Sequence, residues 1–305
     1  MNLLLKLLGL IRFSHTLFAL PFAILGAAMA LKLNLYENTG YCPRMVEWVG
    51  ILLCMVFARS AAMGFNRWAD SELDAQNPRT ANRHIPAGLL TVRSVLLFVV
   101  FCSVGFIVST FLFLPNRIPL FCSVPVLLFL FCYSYTKRWT IAAHFWLGGA
   151  LMLAPFAAWI VIRPVLIPIP LPPVLLSLAV LFWTAGFDLI YATQDTEFDK
   201  KTGLFSVPGK YGNKTAFRLS AICHIISVFC LAVIPYVYEL FGLVFELGVM
   251  AAALILTVEH WIAVPQSDKP IDLSRINIAF FQMNIFVSIG LLIVGLFDLF
   301  IMTLL

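Results

Sequence analysis

Apolar runs of about 20 residues, separated by short charged loops, recur from one end of this chain to the other. A run of that length is what a helix needs to cross a hydrocarbon core about 30 Å thick. Inside a bilayer every backbone N–H and C=O must find its partner within the structure, so only helices or a closed barrel can span it. Barrel strands would alternate polar and apolar residues over about ten positions, and the sequence shows no such alternation. Composition points the same way. Of 305 residues, 62% are hydrophobic and 11% charged, whereas a soluble domain is about half apolar and a quarter charged. The chain reads as an all-α, polytopic membrane protein, a single domain over residues 1–305, in contact with membrane lipid.

Nine spans are expected, at about 13–32, 46–65, 94–113, 119–135, 141–162, 173–192, 218–237, 241–261 and 278–300. Pro115 and Pro119 separate the third and fourth, and "RPVLIPIPLPP" (163–173) is an extended connector. The first apolar stretch has no small-residue cleavage site and reads as a helix of the mature protein. Fifteen of the 20 Lys and Arg residues lie in the amino-terminal segment and in the loops after spans two, four, six and eight. Four (Lys32, Arg44, Arg117, Arg163) lie in the opposite loops, and Arg59 is inside span two. That asymmetry predicts a cytoplasmic amino terminus and an outside carboxyl terminus, in a membrane of the bacterial inner type. With a net charge of only +5, the basic residues read as topology signals and anion ligands, and nucleic acid is not an expected partner. Seven scattered cysteines with no CxxC pair read as inert thiols. Among the histidines only His84 shares a charged loop with the acids described next; His15, His144, His224 and His260 show no partner pattern and read as structural.

Five of the eight aspartates fall in two clusters, both on the side given as cytoplasmic. In "NRWADSELDAQNPRTANR" (66–83), Asn66, Asp70 and Asp74 are spaced i, i+4, i+8 and share a helical stripe, which Arg59 extends downward. Pro78 stops that helix at Asn77. In "DLIYATQDTEFDKKTG" (188–203), Asp188, Tyr191, Asp195 and Asp199 form a second stripe. Gly203 is placed to end its helix, and Lys200 and Lys201 suit the last turn. Two such stripes facing each other would repel unless a cation lay between them. Mg²⁺ takes hard oxygen ligands and completes its shell with water and phosphate. Carboxylates with Mg²⁺ and nearby cations make a diphosphate site, for which Arg12, Arg79, Arg83, Lys137 and Arg138 are available. Asp188 reaches about two turns toward the lipid, a depth at which ionisable groups default to function. Asp298, near the end of span nine, is expected to snorkel outward.

At these residues the sequence resembles the UbiA superfamily of intramembrane prenyltransferases. "NRWADSELD" and "DLIYATQDTEFD" match the family's NxxxDxxxD after the second helix and DxxxxxxDxxxD after the sixth. "YSYTKR" (133–138) and "IRFSHTLFALPFA" (11–23) resemble its Tyr-x-x-x-Lys-Arg segment and its first helix. The Asn-Arg start, "NPRT" and "PAG" (86–88) look closest to the 4-hydroxybenzoate polyprenyltransferase-like branch of respiratory quinone synthesis, including the menaquinone route through futalosine. Arg67 departs from the pattern: many members have Asp there, so one potential metal ligand is lost and a cation gained.

The resemblance implies nine helices around a central cavity with a cytoplasmic cap. It also implies Mg²⁺-dependent transfer of a polyprenyl group from polyprenyl diphosphate to an aromatic acid acceptor, 4-hydroxybenzoate or a dihydroxynaphthoate. Asn66, Asp70, Asp74, Asp195 and Asp199 would then hold the metal, and Arg12, Arg79, Arg83, Lys137 and Arg138 the diphosphate. Asp188 and Tyr191 would be catalytic, with Tyr133, Ser134 and Arg59 lining the substrate pocket. Sibling transferases acting on haem, homogentisate or chlorophyllide are the near alternatives. A cation-coupled secondary transporter is the distant one, but no inverted repeat is visible.

Overall fold

In the computed structural model, residues 3–11, 18–265 and 272–301 are described, and they hold helices, turns and no strand. In chain order the helices are α1 (Leu3–Ile11), α2 (Leu20–Tyr36), α3 (Met45–Ala69), α4 (Ser71–Gln76), α5 (Val92–Ser109), α6 (Ile118–Thr136), α7 (Ala143–Ile162), α8 (Leu171–Ala192), α9 (Thr196–Thr202), α10 (Val207–Tyr211), α11 (Asn213–Val237), α12 (Leu243–Ala263), α13 (Leu273–Asn277) and α14 (Asn284–Phe300). Among the described residues eight helical stretches are long and apolar enough to cross a bilayer, and α2, with 17 residues, is a shorter apolar helix. Each of the nine expected spans corresponds to one of these helices; residues 13–17 of the first lie outside the described residues. The chain is an integral, multi-pass helical membrane protein.

Packing divides the chain into two compact units. The first comprises Met1–Thr16 and Arg44–Thr136. Here α3 packs against α5 and α6 through Ala61, Cys102, Phe106 and Leu127. Its start is pinned by Arg44, whose guanidinium donates to Glu47 (2.8 Å) and to the Leu114 carbonyl (2.8 Å). Its far end is fixed by rings: Phe65 stacks on Phe131 at 4.4 Å and meets Trp68 and Tyr135 edge-on. That stack sets the register of α3 against α6, and with it the position of Asn66 and the residues after it.

The second unit comprises Leu17–Pro43 and Lys137–Leu305. Its centre is α8, which lies against α7 and α11 and buries Trp183 and Phe187 almost completely. Lipid tails are as apolar as leucine side chains, so helices in a bilayer associate through close packing rather than through the hydrophobic effect. Gly148 on α7 shows how close: a Cβ there would collide with the carbonyl oxygen of Leu181 on α8. Arg163 joins the ends of α2 and α7, donating to Asn34 Oδ1 (2.8 Å) and Glu37 Oε2 (2.6 Å). The proline-rich connector is shorter than expected, because Pro172 and Pro173 occupy the first turn of α8, where a missing N–H costs nothing. Large apolar side chains such as Leu97, Phe101, Phe121, Leu128, Met250 and Leu254 are exposed along α5, α6 and α12, as a lipid-facing surface requires.

Asp298 corrects an expectation. It does not reach outward: it is 4% exposed, and its Oδ2 accepts the backbone N–H groups of Gly242 (2.7 Å) and Phe245 (3.1 Å). These are the N–H groups of the residue that caps α12 and of its first turn, which lack partners within the helix. A carboxylate at that position satisfies two of them and complements the positive end of the helix dipole.

Candidate active site

The first acidic motif departs slightly from a continuous helix. α3 ends at Ala69, Asp70 takes a turn conformation (φ −97°, ψ 4°), and α4 begins at Ser71. Helical bonds bridge the break, from Asp70 N–H to the Asn66 carbonyl and from Asp74 N–H to the Asp70 carbonyl. The three motif residues therefore stay near one line. Asn77 ends α4 in an extended conformation, as the following Pro78 demands.

Side chains in this motif hold one another. Asn66 Nδ2 donates to Asp70 Oδ2 (2.9 Å) and to Ser134 Oγ (3.4 Å), and Arg67 Nη1 donates to Asn66 Oδ1 (3.3 Å). Arg67 thus engages the amide oxygen of the motif's first residue. Ser134 is 1% exposed and serves Asn66 from α6. The segment after α4 folds back onto Asp74: Thr80 Oγ1 donates to its carbonyl (3.1 Å) and Arg83 Nη1 pairs with its Oδ1 (2.7 Å). The Arg79 N–H caps Asn77 Oδ1 (2.9 Å) in an Asx turn. Arg59, deeper in α3, has a buried Nε without a hydrogen-bond partner among the described residues. His84 sits beside Lys6 and Arg67; burial first, then those two positive charges, hold its pKa below the ordinary histidine value.

The second motif lies where α8 passes through a 3₁₀ turn (Thr193–Asp195) into α9. Gly203 ends α9 in the left-handed conformation (φ 70°), and Lys200 and Lys201 occupy the last turn, both as the sequence implies. The segment from 203 to 212 has a structural role: Phe205 N–H donates to the Lys137 carbonyl (2.7 Å), and Ser206 both caps α10 and hydrogen-bonds the Asp199 side chain. Asp195, Lys137 and His144 all lie near enough to Asp199 for their charges to act on it. Further back along α8, Asp188 Oδ2 meets His144 Nδ1 at 2.7 Å.

A divalent metal suits both motifs on the chemistry of their donors. Asp74 Oδ2 is buried with no hydrogen-bond partner among the described residues. Leaving such an oxygen unmet costs about 1–3 kcal/mol or more. Asp195 and Asp199 are neighbouring like charges. Among the described residues no three His, Cys, Asp or Glu side chains converge into an all-protein metal cage. Mg²⁺ does not need one, because it usually keeps waters and takes substrate phosphates as ligands.

The family profile of the UbiA prenyltransferases matches residues 19–286. The chain belongs to the UbiA prenyltransferase family. It is therefore an enzyme that transfers prenyl groups. Among its UbiA relatives is the 4-hydroxybenzoate octaprenyltransferase of Pseudomonas fluorescens, 29% identical over 220 residues that cover 72% of each chain. The enzyme of the same description from Pseudomonas putida is 30% identical over 225 residues, 68% of each. In three dimensions the apo UbiA homologue of Aeropyrum pernix K1 superposes with a TM-score of 0.79 at 28% identity, covering 91% of this chain and 95% of that one. The UbiA homologue of Archaeoglobus fulgidus bound to GPP and Mg²⁺ has a TM-score of 0.72 at 21% identity, over 96% and 99% of the two chains, a likeness of fold.

In this UbiA-family chain the sequence reading located both acidic motifs but missed two features. One is His144, whose partner lies 44 residues away. The other is an aromatic cluster beside Asp188. Tyr191 packs on Phe280 at 4.2 Å, Phe187 on Phe280 at 5.3 Å, Trp183 on Phe187 at 5.0 Å, and Phe18 touches Trp183, Phe187, Phe280 and Phe281. The four-residue spacing of Trp183, Phe187 and Tyr191 was a readable sign of one helical stripe. Arg12 lies outside the described residues.

Proposed function

We propose that this protein transfers a polyprenyl group from polyprenyl diphosphate to the ring of an aromatic acid, 4-hydroxybenzoate or a dihydroxynaphthoate, in the synthesis of a respiratory quinone. The observation that carries the reading is the pair of carboxylate motifs, each at the end of a long apolar helix and each with basic side chains at hand. The names of the curated relatives support the acceptor class.

Asn66, Asp70 and Asp74 in one motif, and Asp195 and Asp199 in the other, are assigned to Mg²⁺. When bound, Mg²⁺ neutralises the charge that grows on the departing diphosphate. Arg12, Arg79, Arg83, Lys137 and Arg138 bind diphosphate oxygens by charge-assisted hydrogen bonds. The ion pair of Arg83 with Asp74 supports its assignment to the head group. As the allylic C–O bond lengthens, positive charge develops on the prenyl carbon. Tyr191, backed by Phe280, and Tyr133 offer ring faces to that cation. Arg59, a guanidinium inside an apolar helix, takes the acceptor's carboxylate, with Tyr133 and Ser134 in the same pocket. The acceptor ring attacks the allylic carbon, and Asp188 accepts the proton that the acceptor gives up. The whole chain works as one catalytic domain, with both acidic motifs on the cytoplasmic side.

The test is a transfer assay on purified protein in detergent, with geranyl diphosphate, Mg²⁺ and a panel of aromatic acids that includes both candidates. A prenylated product from one of the two is expected, lost with EDTA and restored by Mg²⁺. Absence of product with every acid would defeat the acceptor assignment. Activity that survives EDTA would defeat the metal assignment.

A further inference from the structure

His144 stands on the first turn of α7 and Asp188 near the end of α8. Their side chains are 5% and 17% exposed, and Nδ1 of the imidazole lies 2.7 Å from Oδ2 of the carboxylate. A carboxylate at this site accepts, so Nδ1 carries a proton and donates it to Oδ2. Nε2 is itself buried and has no hydrogen-bond partner among the described residues. A histidine kept for packing would normally have both nitrogens satisfied. Among the described residues, this one is bonded only through the nitrogen that faces Asp188.

The backbone beneath the pair is tightly fixed. Gly148, one turn along α7 from His144, lets α7 close on the Leu181 carbonyl, two turns along α8 from Asp188. The two helices therefore cannot separate at the pair without opening a contact that has no slack. Stability does not require such a pair, since buried charged pairs can often be replaced by apolar residues without loss. What a donor on a rigid helix provides is one fixed orientation for the carboxylate. It uses Oδ2 and leaves the other oxygen to meet a substrate proton.

We infer that His144 is a positioning residue for prenyl transfer: its Nδ1–H holds Asp188 in the single rotamer from which that carboxylate accepts the acceptor's proton. The inference rests on the reading of Asp188 as the proton acceptor. It adds a requirement for a hydrogen-bond donor at one defined point, which neither acidic motif contains.

The experiment compares variants of the purified full-length chain in the Mg²⁺, geranyl diphosphate and aromatic acid assay, with thermal unfolding followed in parallel. His144→Leu should lower kcat by about 100-fold, the scale of a mispositioned general base, while KM for geranyl diphosphate changes by less than about twofold. His144→Asn places an amide N–H where Nδ1–H lies and should stay within about tenfold of wild type. His144→Gln places its amide at the Nε2 position and should fall with the leucine variant. Adding His144→Leu to Asp188→Asn should slow the reaction no further than Asp188→Asn alone. Full activity of His144→Leu beside an inactive Asp188→Asn would overturn the inference and leave the site reading standing. So would equal activity of the Asn and Gln variants, a comparison that holds even if the leucine variant fails to fold. An active Asp188→Asn would remove the reading of Asp188 itself, and the inference with it.

Discussion

Asp74 gives one oxygen to Arg83 at 2.7 Å and keeps the other buried without a hydrogen-bond partner among the described residues. The neutral isostere separates its charge from its shape. Asp74→Asn should keep the helical circular dichroism and lower turnover by about 100-fold or more, the cost of removing one preorganised electrostatic group. Arg67 takes the amide oxygen of Asn66, so on the proposed reading the carboxylates would carry more of the metal binding here than the motif's pattern alone suggests. His84 gives a prediction about pH. Burial first, then Arg67 and Lys6, lower its pKa from 6.5, so the folded protein binds fewer protons at this residue than the unfolded chain does. Its contribution to stability is intact above 6.5 and is lost as pH falls from 6.5 through the lower folded value. Thermal unfolding of His84→Gln across pH 5 to 7 should show a flatter dependence than wild type. The acidic residues were legible because each motif is local and periodic. His144 and Asp298 were not: their partners are 44 and 53 residues away, and no local spacing signals a contact made by folding.

Hydropathy and proline positions placed the helices well, because an apolar run of bilayer length has few other uses. Helix irregularities were hidden. The turn at Asp70, the 3₁₀ segment before α9 and the π-helix at Ile278–Met283 depend on which carbonyl each N–H chooses, a choice that side-chain polarity barely records. The π-helix has a visible partner: Asn284 donates to the Ala279 and Phe280 carbonyls and to buried Glu259. The seam between α7 and α8 offers a direct test. In Gly148→Ala the new Cβ would meet the Leu181 carbonyl, which is backbone and cannot swing away. The cost should be about 1–3 kcal/mol, as for other overpacked sites. It should appear as a lower unfolding midpoint in detergent, together with slower transfer as the pair at His144 and Asp188 is pushed apart.

Across the whole molecule, the uneven distribution of Lys and Arg predicts the orientation. If the acidic motifs are cytoplasmic, the connection between α2 and α3 lies outside, and it carries an exposed cysteine, Cys42. A membrane-impermeant maleimide should label Cys42 on intact cells, and Cys42→Ser should abolish that signal. Labelling that appears only after permeabilisation would invert the topology. Cys122 and Cys132 are also exposed but lie on α6 within an apolar span, where a charged reagent does not reach.

The cap that Asp298 places on α12 bears on how the chain is made. Synthesis runs from the amino terminus, so α12 leaves the ribosome with its first-turn N–H groups still open. The carboxylate that closes them follows 53 residues behind Phe245. The second unit therefore gains this cap only after nearly all of its last described helix has been made. A chain that ends short of that aspartate lacks the acceptor that serves both N–H groups at the start of α12.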